Sequence, residues 1–329
     1  MRSNISNNKG ETALYIASFN SHSDIVELLL QSNSNPDICN KENETPLSRA
    51  SYECHLCIVK SLLNNNSDVN FCNTNRETPL MRASCHGHIG IVKLLLEHNC
   101  DANIYNKDME TPLFRASCEG ASCEGYSDIV KLLLEHNCDP NICNKENKSP
   151  LAMAALNGHI DVLKLLLKQN CDCCIYDDNN ETPIFKASSR GYTDIVKLLL
   201  EHKCDPSLSN KDNETPLFKA CSNGDTEIVK ILLEHNCNPN VFDKDQESPL
   251  LKSAGGGYFE IVKLLFEYNS EPNTCNRNQE SPFYRAAYNG HLDIVELLFE
   301  NKCDQISLIE NLKHHYFGHH GMDTKELLT

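Results

Sequence analysis

No stretch of this 329-residue chain approaches the roughly 18 consecutive apolar residues that would mark a membrane span. Its longest apolar runs, such as Leu94-Leu95-Leu96, read instead as faces of amphipathic helices. Residues 1–8 are polar and lack the apolar core of a secretory signal. Positive charge is in deficit, with 30 Lys and Arg against 46 Asp and Glu and a net charge of −16. That balance argues against nucleic acid as a general partner, since phosphate neutralisation needs a basic surplus. There is no glycine-rich loop of the kind that cradles phosphate. Aspartate and histidine recur at regular intervals, so no acid–base pair stands apart from the pattern. Neither an enzyme nor a small-molecule substrate is expected, and no cofactor. The expectation is a soluble, acidic, cytoplasmic protein, with a nuclear location also compatible.

What the chain does have is a period. A threonine or serine followed by proline or alanine stands at Thr12, Thr45, Thr78, Thr111, Ser149, Thr182, Thr215, Ser248 and Ser281. Every interval is 33 residues except Thr111 to Ser149, which is 38. A fixed period between about 20 and 50 residues means stacked supersecondary units. The 18 cysteines follow the same phase. Cys100, Cys138, Cys171, Cys204, Cys237 and Cys303 share one position, where three other repeats carry Ser34, Ser67 and Ser270. Equivalent atoms of stacked helices lie about 8–10 Å apart, too far for a disulfide. Alternation with serine points to small packed side chains in a reducing compartment.

One repeat, residues 77–106, shows the local logic. Thr78 is an N-cap and Pro79 suits the first helical position. Leu80 and Ala83 lie on one face, and Gly87 supplies the turn. A second helix carries Ile91, Val92, Leu94, Leu95 and Leu96, a stripe wide enough to meet neighbours on both sides. Asn99 sits where a left-handed C-terminal cap is expected. A single such unit cannot bury its apolar face and must stack.

The recurring T-P-L of Thr45-Pro46-Leu47 and Thr78-Pro79-Leu80 resembles the ankyrin repeat. So do Gly158-His159 and Gly290-His291, the I-V-K-L-L-L of residues 195–200, and Asp139-Pro140-Asn141. The resemblance implies an all-α solenoid of helix–turn–helix units joined by hairpin-like turns. It also implies a concave surface used for non-enzymatic protein–protein recognition, and it spans residues 9–303 in about nine units. Residues 1–8 form a short polar lead, and 304–329 a capping helix and tail. Two departures stand out. The histidine usual after T-P-L is replaced, as by Tyr15 and Met81. The glycine usual two residues before the motif threonine survives only as Gly10. Asn43, Asn147, Asn180 and Asn213 can adopt a left-handed turn there, whereas Arg76, Met109, Gln246 and Gln279 do so at a cost. Those four turns are expected to be less sharply formed.

Candidate recognition residues fall in two sets. A cation stands four places after the motif threonine in seven repeats: Arg49, Arg82, Arg115, Lys186, Lys219, Lys252 and Arg285. On an acidic protein that ladder would select an acidic protein segment. It would equally pair, within or between repeats, with the glutamate before the motif threonine, present in eight repeats. The ends of the first helices vary most, and there Tyr52, His86, Arg190 and Tyr288 are the types a partner would use. Asn70 and Asn103 resemble the hairpin asparagines that oxygen-dependent hydroxylases modify in ankyrin proteins.

Other signals are weaker. Cys54-x-x-Cys57 lacks a second pair at zinc spacing, and Cys171-Asp172-Cys173-Cys174 belongs to a turn. His98, His136, His202 and His235 suit helix C-termini. No metal site is expected. The 38-residue interval comes from a direct repeat of Ala-Ser-Cys-Glu-Gly, residues 116–120 and 121–125, expected to bulge at the turn between Gly120 and Gly125. In the tail, Ser307-x-x-Glu310 is a capping box opening an apolar face of Leu308, Ile309, Leu312 and Tyr316. Met322 to Leu328 could be a degenerate tenth unit. His314, His315, His319 and His320 form a tail cluster interrupted by Gly318. Ser307-Leu308 also resembles the start of the box that docks ubiquitin-ligase adaptors. The alternative function is therefore a ligase substrate-recognition subunit.

Overall fold

A computed structural model describes residues 4–119, 124–301 and 303, and the side chains of 124 and 125 are outside what it describes. The expectations for the tail beyond 303, and for Gly120, lie outside the described residues. The chain divides into two compact blocks, Met1–Asp178 and Asn179–Thr329. Both consist of helix pairs, and among the described residues the one bridge between extended residues joins Ser6 and Thr12.

In the first block the pairs are α1 Ala13–Phe19 with α2 Ser23–Gln31, α3 Pro46–Tyr52 with α4 Leu56–Asn64, and α5 Pro79–Cys85 with α6 Ile89–Glu97. They continue with α7 Pro112–Glu119 and α8 Glu124–Glu135, then α9 Pro150–Asn157 and α10 Ile160–Lys168. The second block holds α11 Pro183–Ser189 with α12 Thr193–Glu201, and α13 Pro216–Asn223 with α14 Thr226–Glu234. It ends with α15 Pro249–Gly256 and α16 Phe259–Glu267, then α17 Pro282–Asn289 and α18 Leu292–Glu300. Within each block, first helices pack on first helices of the next repeat and second helices on second helices. The fold is an all-α solenoid.

The caps form as the sequence requires. In all nine repeats the motif hydroxyl accepts the backbone N–H three residues on, at 3.1–3.3 Å. Each bond satisfies one of the donors a helix start leaves open. The core then follows the period. Leu47, Leu80, Leu113 and Leu151 are wholly buried on first helices, and Val59, Val92, Val130 and Leu163 on second helices. Ser51, Ser84 and Ser117 are equally buried between successive first helices, where only a small side chain lets the helices approach.

The turns correct one expectation. Arg76, Met109, Gln246 and Gln279 adopt φ of 63°, 61°, 59° and 62°, the same left-handed conformation as Asn43 at 56°. Their hairpins close as tightly: Asn73 N–H donates to the Glu77 carbonyl at 3.1 Å, as Asn40 does to Glu44. The reason lies three residues earlier. The Asn73 side-chain oxygen accepts the N–H groups of Asn75 and Glu77 at 2.9 Å each, and Asn106 and Asp243 hold their turns in the same way. This Asx turn over-determines the backbone, so a poor left-handed residue is carried through it.

The direct repeat corrects another. Helix α8 has 12 residues where the other second helices have 9. Gly125 is therefore inside a helix, and part of the added length is taken up by prolonging the second helix at its N-terminal end; residues 120–123, where the bulge was expected, lie outside the described residues. The repeat-position cysteines are packed as expected. Cys138, Cys171 and Cys237 are buried and burial pushes their thiols up to about 12, and Cys303 to about 11. Protonated thiols of this kind are poor nucleophiles.

Candidate functional site

The cation ladder lies on the first helices and is engaged by glutamate. In the first block Arg82 reaches Glu77 of its own repeat at 3.1 Å and Glu44 of the preceding one at 3.0 Å. Arg49 stands 2.7 Å from Glu53 and 3.8 Å from Glu44. Arg115 lies 3.5 Å from Glu110 and 3.4 Å from Glu119, and its guanidinium donates to the Cys85 sulfur at 2.9 Å. In the second block Lys186 meets Glu181 at 2.7 Å and Lys219 meets Glu214 at 3.4 Å. Glu247 receives both Lys252 and Arg285, the latter at 3.2 Å, and Arg285 also holds Glu280 at 3.1 Å. Burial by itself would raise the Glu247 carboxyl. The hydrogen bond and charge of Lys252, with Asn276 and Arg285, outweigh it and hold the group below the ordinary carboxylate range.

Aromatic side chains interleave with the cations in the first block. The Tyr52 ring lies between two guanidinium groups, Arg82 at 4.2 Å and Arg49 at 5.2 Å from its centroid. Arg49 also covers the Phe19 ring at 4.4 Å, and the His86 ring meets Tyr52 edge-on at 4.4 Å. Phe19 remains 40% exposed. Beneath this row Tyr15 donates its hydroxyl to Glu44, and burial together with that carboxylate raises the phenol well above its usual range. A cavity of about 520 Å³ opens here, lined in part by Glu11, Tyr15, Phe19, Asn40, Glu44 and Arg49.

The structure brings Arg49, Tyr52, Arg82 and His86 into one cluster. Arg115 lies one repeat on. In the second block Lys186 is buried and Arg190 is exposed at the end of α11. Lys219, Lys252 and Arg285 are each about one-third exposed, with side-chain values of 33%, 35% and 34%. Tyr288 is exposed, its ring stacked 5.9 Å from Tyr284. Asn70 and Asn103 are half-buried on the hairpins, where their side-chain oxygens accept Asp101 N–H and Asp139 N–H at 2.9 Å.

Two features escaped sequence reasoning. The first is the bond from the Tyr15 hydroxyl to Glu44 of the next repeat; the signal was a tyrosine three places after the first motif threonine, but its partner lies 29 residues away. The second is a row of rings at the start of several second helices. His55, His88, Tyr126 and His159 lie 2.9–3.2 Å from the carbonyls of Phe19, Tyr52, Cys85 and Cys118. In the second block His291 reaches Gly255 in the same way. Each ring meets a carbonyl left open at the end of the preceding first helix.

Stacked helical hairpins presenting a patterned side-chain surface define a repeat scaffold. A family model for ankyrin repeats in sets of three matches residues 2–71, 47–142, 120–210, 151–243, 202–275 and 236–308. The chain belongs to the ankyrin-repeat family, whose repeats generally mediate protein–protein interaction. No curated protein matches the chain. Among the described residues no helix is long and apolar enough to cross a membrane.

Proposed function

We propose that this protein is a non-catalytic scaffold that holds a protein partner on the face formed by its first helices. The binding centre in this reading is the row of Phe19, Arg49, Tyr52, Arg82 and His86. The observation that carries it is the fixed position of Tyr52 between two arginines. An aromatic ring held by cation–π contacts loses little side-chain freedom on binding, which is why tyrosine and arginine dominate contact energetics. The second block offers Arg190, Lys219, Lys252, Arg285 and Tyr288 to the same or another segment of the partner.

An acidic partner segment fits the ladder for a specific reason. Each cation is already oriented by a glutamate, and all but the buried Lys186 still expose an edge, as Arg49 does at 24% of its side chain. A partner carboxylate would add to that network without having to order a free side chain. The test is capture from native lysate by the full chain and by Tyr52→Ala and Arg49→Ala. Equal folding with loss of the captured protein is expected; unchanged capture by both variants would remove this face from the reading. Recruitment of a ubiquitin-ligase adaptor that depends on residues 304–329 would instead identify the ligase role. The hairpin asparagines Asn70 and Asn103 are proposed hydroxylation sites, and native protein whose peptides show no gain of one oxygen atom there would dismiss them.

A further inference from the structure

The ninth repeat leaves uncovered a face that every earlier repeat buries. The residue six places after the motif hydroxyl is fully buried in all eight preceding repeats, among them Ser18, Ser117, Ala155, Cys221 and Ala254. Its counterpart in the ninth, Ala287, is exposed. Val262 and the seven equivalents before it are likewise sealed, whereas Val295 is only half-buried. Phe299 is 47% exposed where Leu30, Leu63, Leu96, Leu167, Leu200 and Leu233 lie between 0 and 8% and Leu134 and Phe266 are half-buried. Tyr288 and Leu292 add apolar surface at 74% and 69%.

We propose that residues 307–316 of this same chain cover that face as an amphipathic helix. The segment starts four residues after Cys303, which is buried at the end of the ninth repeat. Ser307-x-x-Glu310 supplies a helix start, and Leu308, Ile309, Leu312 and Tyr316 recur at helical spacing. His314 occupies the place, 33 residues after Ser281, where another motif threonine would have to stand, so no further repeat of the same kind competes for the position. Charge agrees. Helix α18 carries Asp293, Glu296 and Glu300 with no basic residue, and the segment brings Lys313, His314 and His315.

A second copy of the chain is the rival occupant, since α2 of the first repeat exposes Ile25 and Leu28 at 48% and 63%. Tethering decides between them. A segment joined by a short linker acts at an effective concentration on the order of millimolar, well above that of a dilute protein.

The chain contains no tryptophan, so one substitution gives a single-site reporter. Phe299→Trp in the full chain is expected to emit as a shielded indole and to resist acrylamide quenching at every protein concentration. Adding Leu308→Asp, Ile309→Asp and Leu312→Asp should expose it, with several-fold stronger quenching and an unchanged far-ultraviolet helical signal. Tyr288→Trp is a second reporter should the edge contact of Phe299 with Phe283 be disturbed. Exposed emission from both reporters in the full chain would overturn the proposal. So would shielding that survives the triple substitution or appears only as the sedimenting mass doubles, the latter identifying the second copy. Failure here would leave the partner-binding face untouched, because the two surfaces share only Tyr288.

Discussion

At the scale of single residues, the hairpin turns show how local strain is tolerated. Met109 holds φ of 61° and is 42% exposed, so its side chain contributes little packing. A left-handed conformation costs a non-glycine residue about 1–2 kcal/mol, and glycine gives back roughly 0.5–1 kcal/mol in unfolded-chain entropy. Met109→Gly is therefore expected to stabilise the first block by about 0.5–1 kcal/mol, from the difference of those two terms, read from urea denaturation. Arg76 would gain less because its guanidinium covers the Tyr105 ring at 4.8 Å. Glu247 gives a second residue-level expectation. Its folded pKa lies below the ordinary 4.5. The stability it contributes is thus fully present above pH 4.5 and lost as pH falls through the lower folded value. Wild type and Glu247→Gln should differ most in urea midpoint near neutral pH and converge in acid; a gap that persists at pH well below that range would show the effect is not the carboxylate's charge.

At the scale of elements, the joints between repeats were only partly legible. The helices, their caps and their buried stripes could be read from Thr-Pro-Leu and the apolar spacing, because those signals are local. The left-handed turns were legible wherever asparagine stood, and misjudged at Arg76, Met109, Gln246 and Gln279 because the restraint comes from a side chain three residues away. That the cations would pair with glutamates, within or between repeats, could be anticipated; that one glutamate would serve two of them could not. The sharing of Glu44 by Arg49 and Arg82, and the Tyr52 ring between two arginines, depend on how closely adjacent repeats stack, which the period alone does not give. The ring-to-carbonyl row is of the same kind. Tyr126 donates its hydroxyl to the Cys85 carbonyl at 2.9 Å, linking the lengthened α8 to the end of α5. Tyr126→Phe keeps the ring and removes only that donor, so a loss of about 0.5–1.5 kcal/mol is expected. An unchanged unfolding midpoint would mean that water serves the carbonyl equally well.

At the scale of the molecule, stability should spread by nearest neighbours within each block, because every repeat completes its core only against the repeats beside it. Leu133 on α8 tests this. It is fully buried, and α8 packs against α6, α7 and α10. Leu133→Ala removes buried methyl groups and leaves a cavity, at a cost of about 2–5 kcal/mol. Even the lower figure raises the population of locally opened states about 30-fold. Amide hydrogen exchange should therefore accelerate in α7 and α8, and then in α5, α6, α9 and α10 as their partner surface opens. Protection of α1 and α2, three repeats away, should hold near its wild-type value. Uniform acceleration from α1 to α10 would show instead that the block opens as one cooperative unit. In that case its shared glutamate, Glu44, couples the repeats more strongly than apolar stacking alone, and the arginine–tyrosine row would be held by the whole block rather than by the two repeats that carry it.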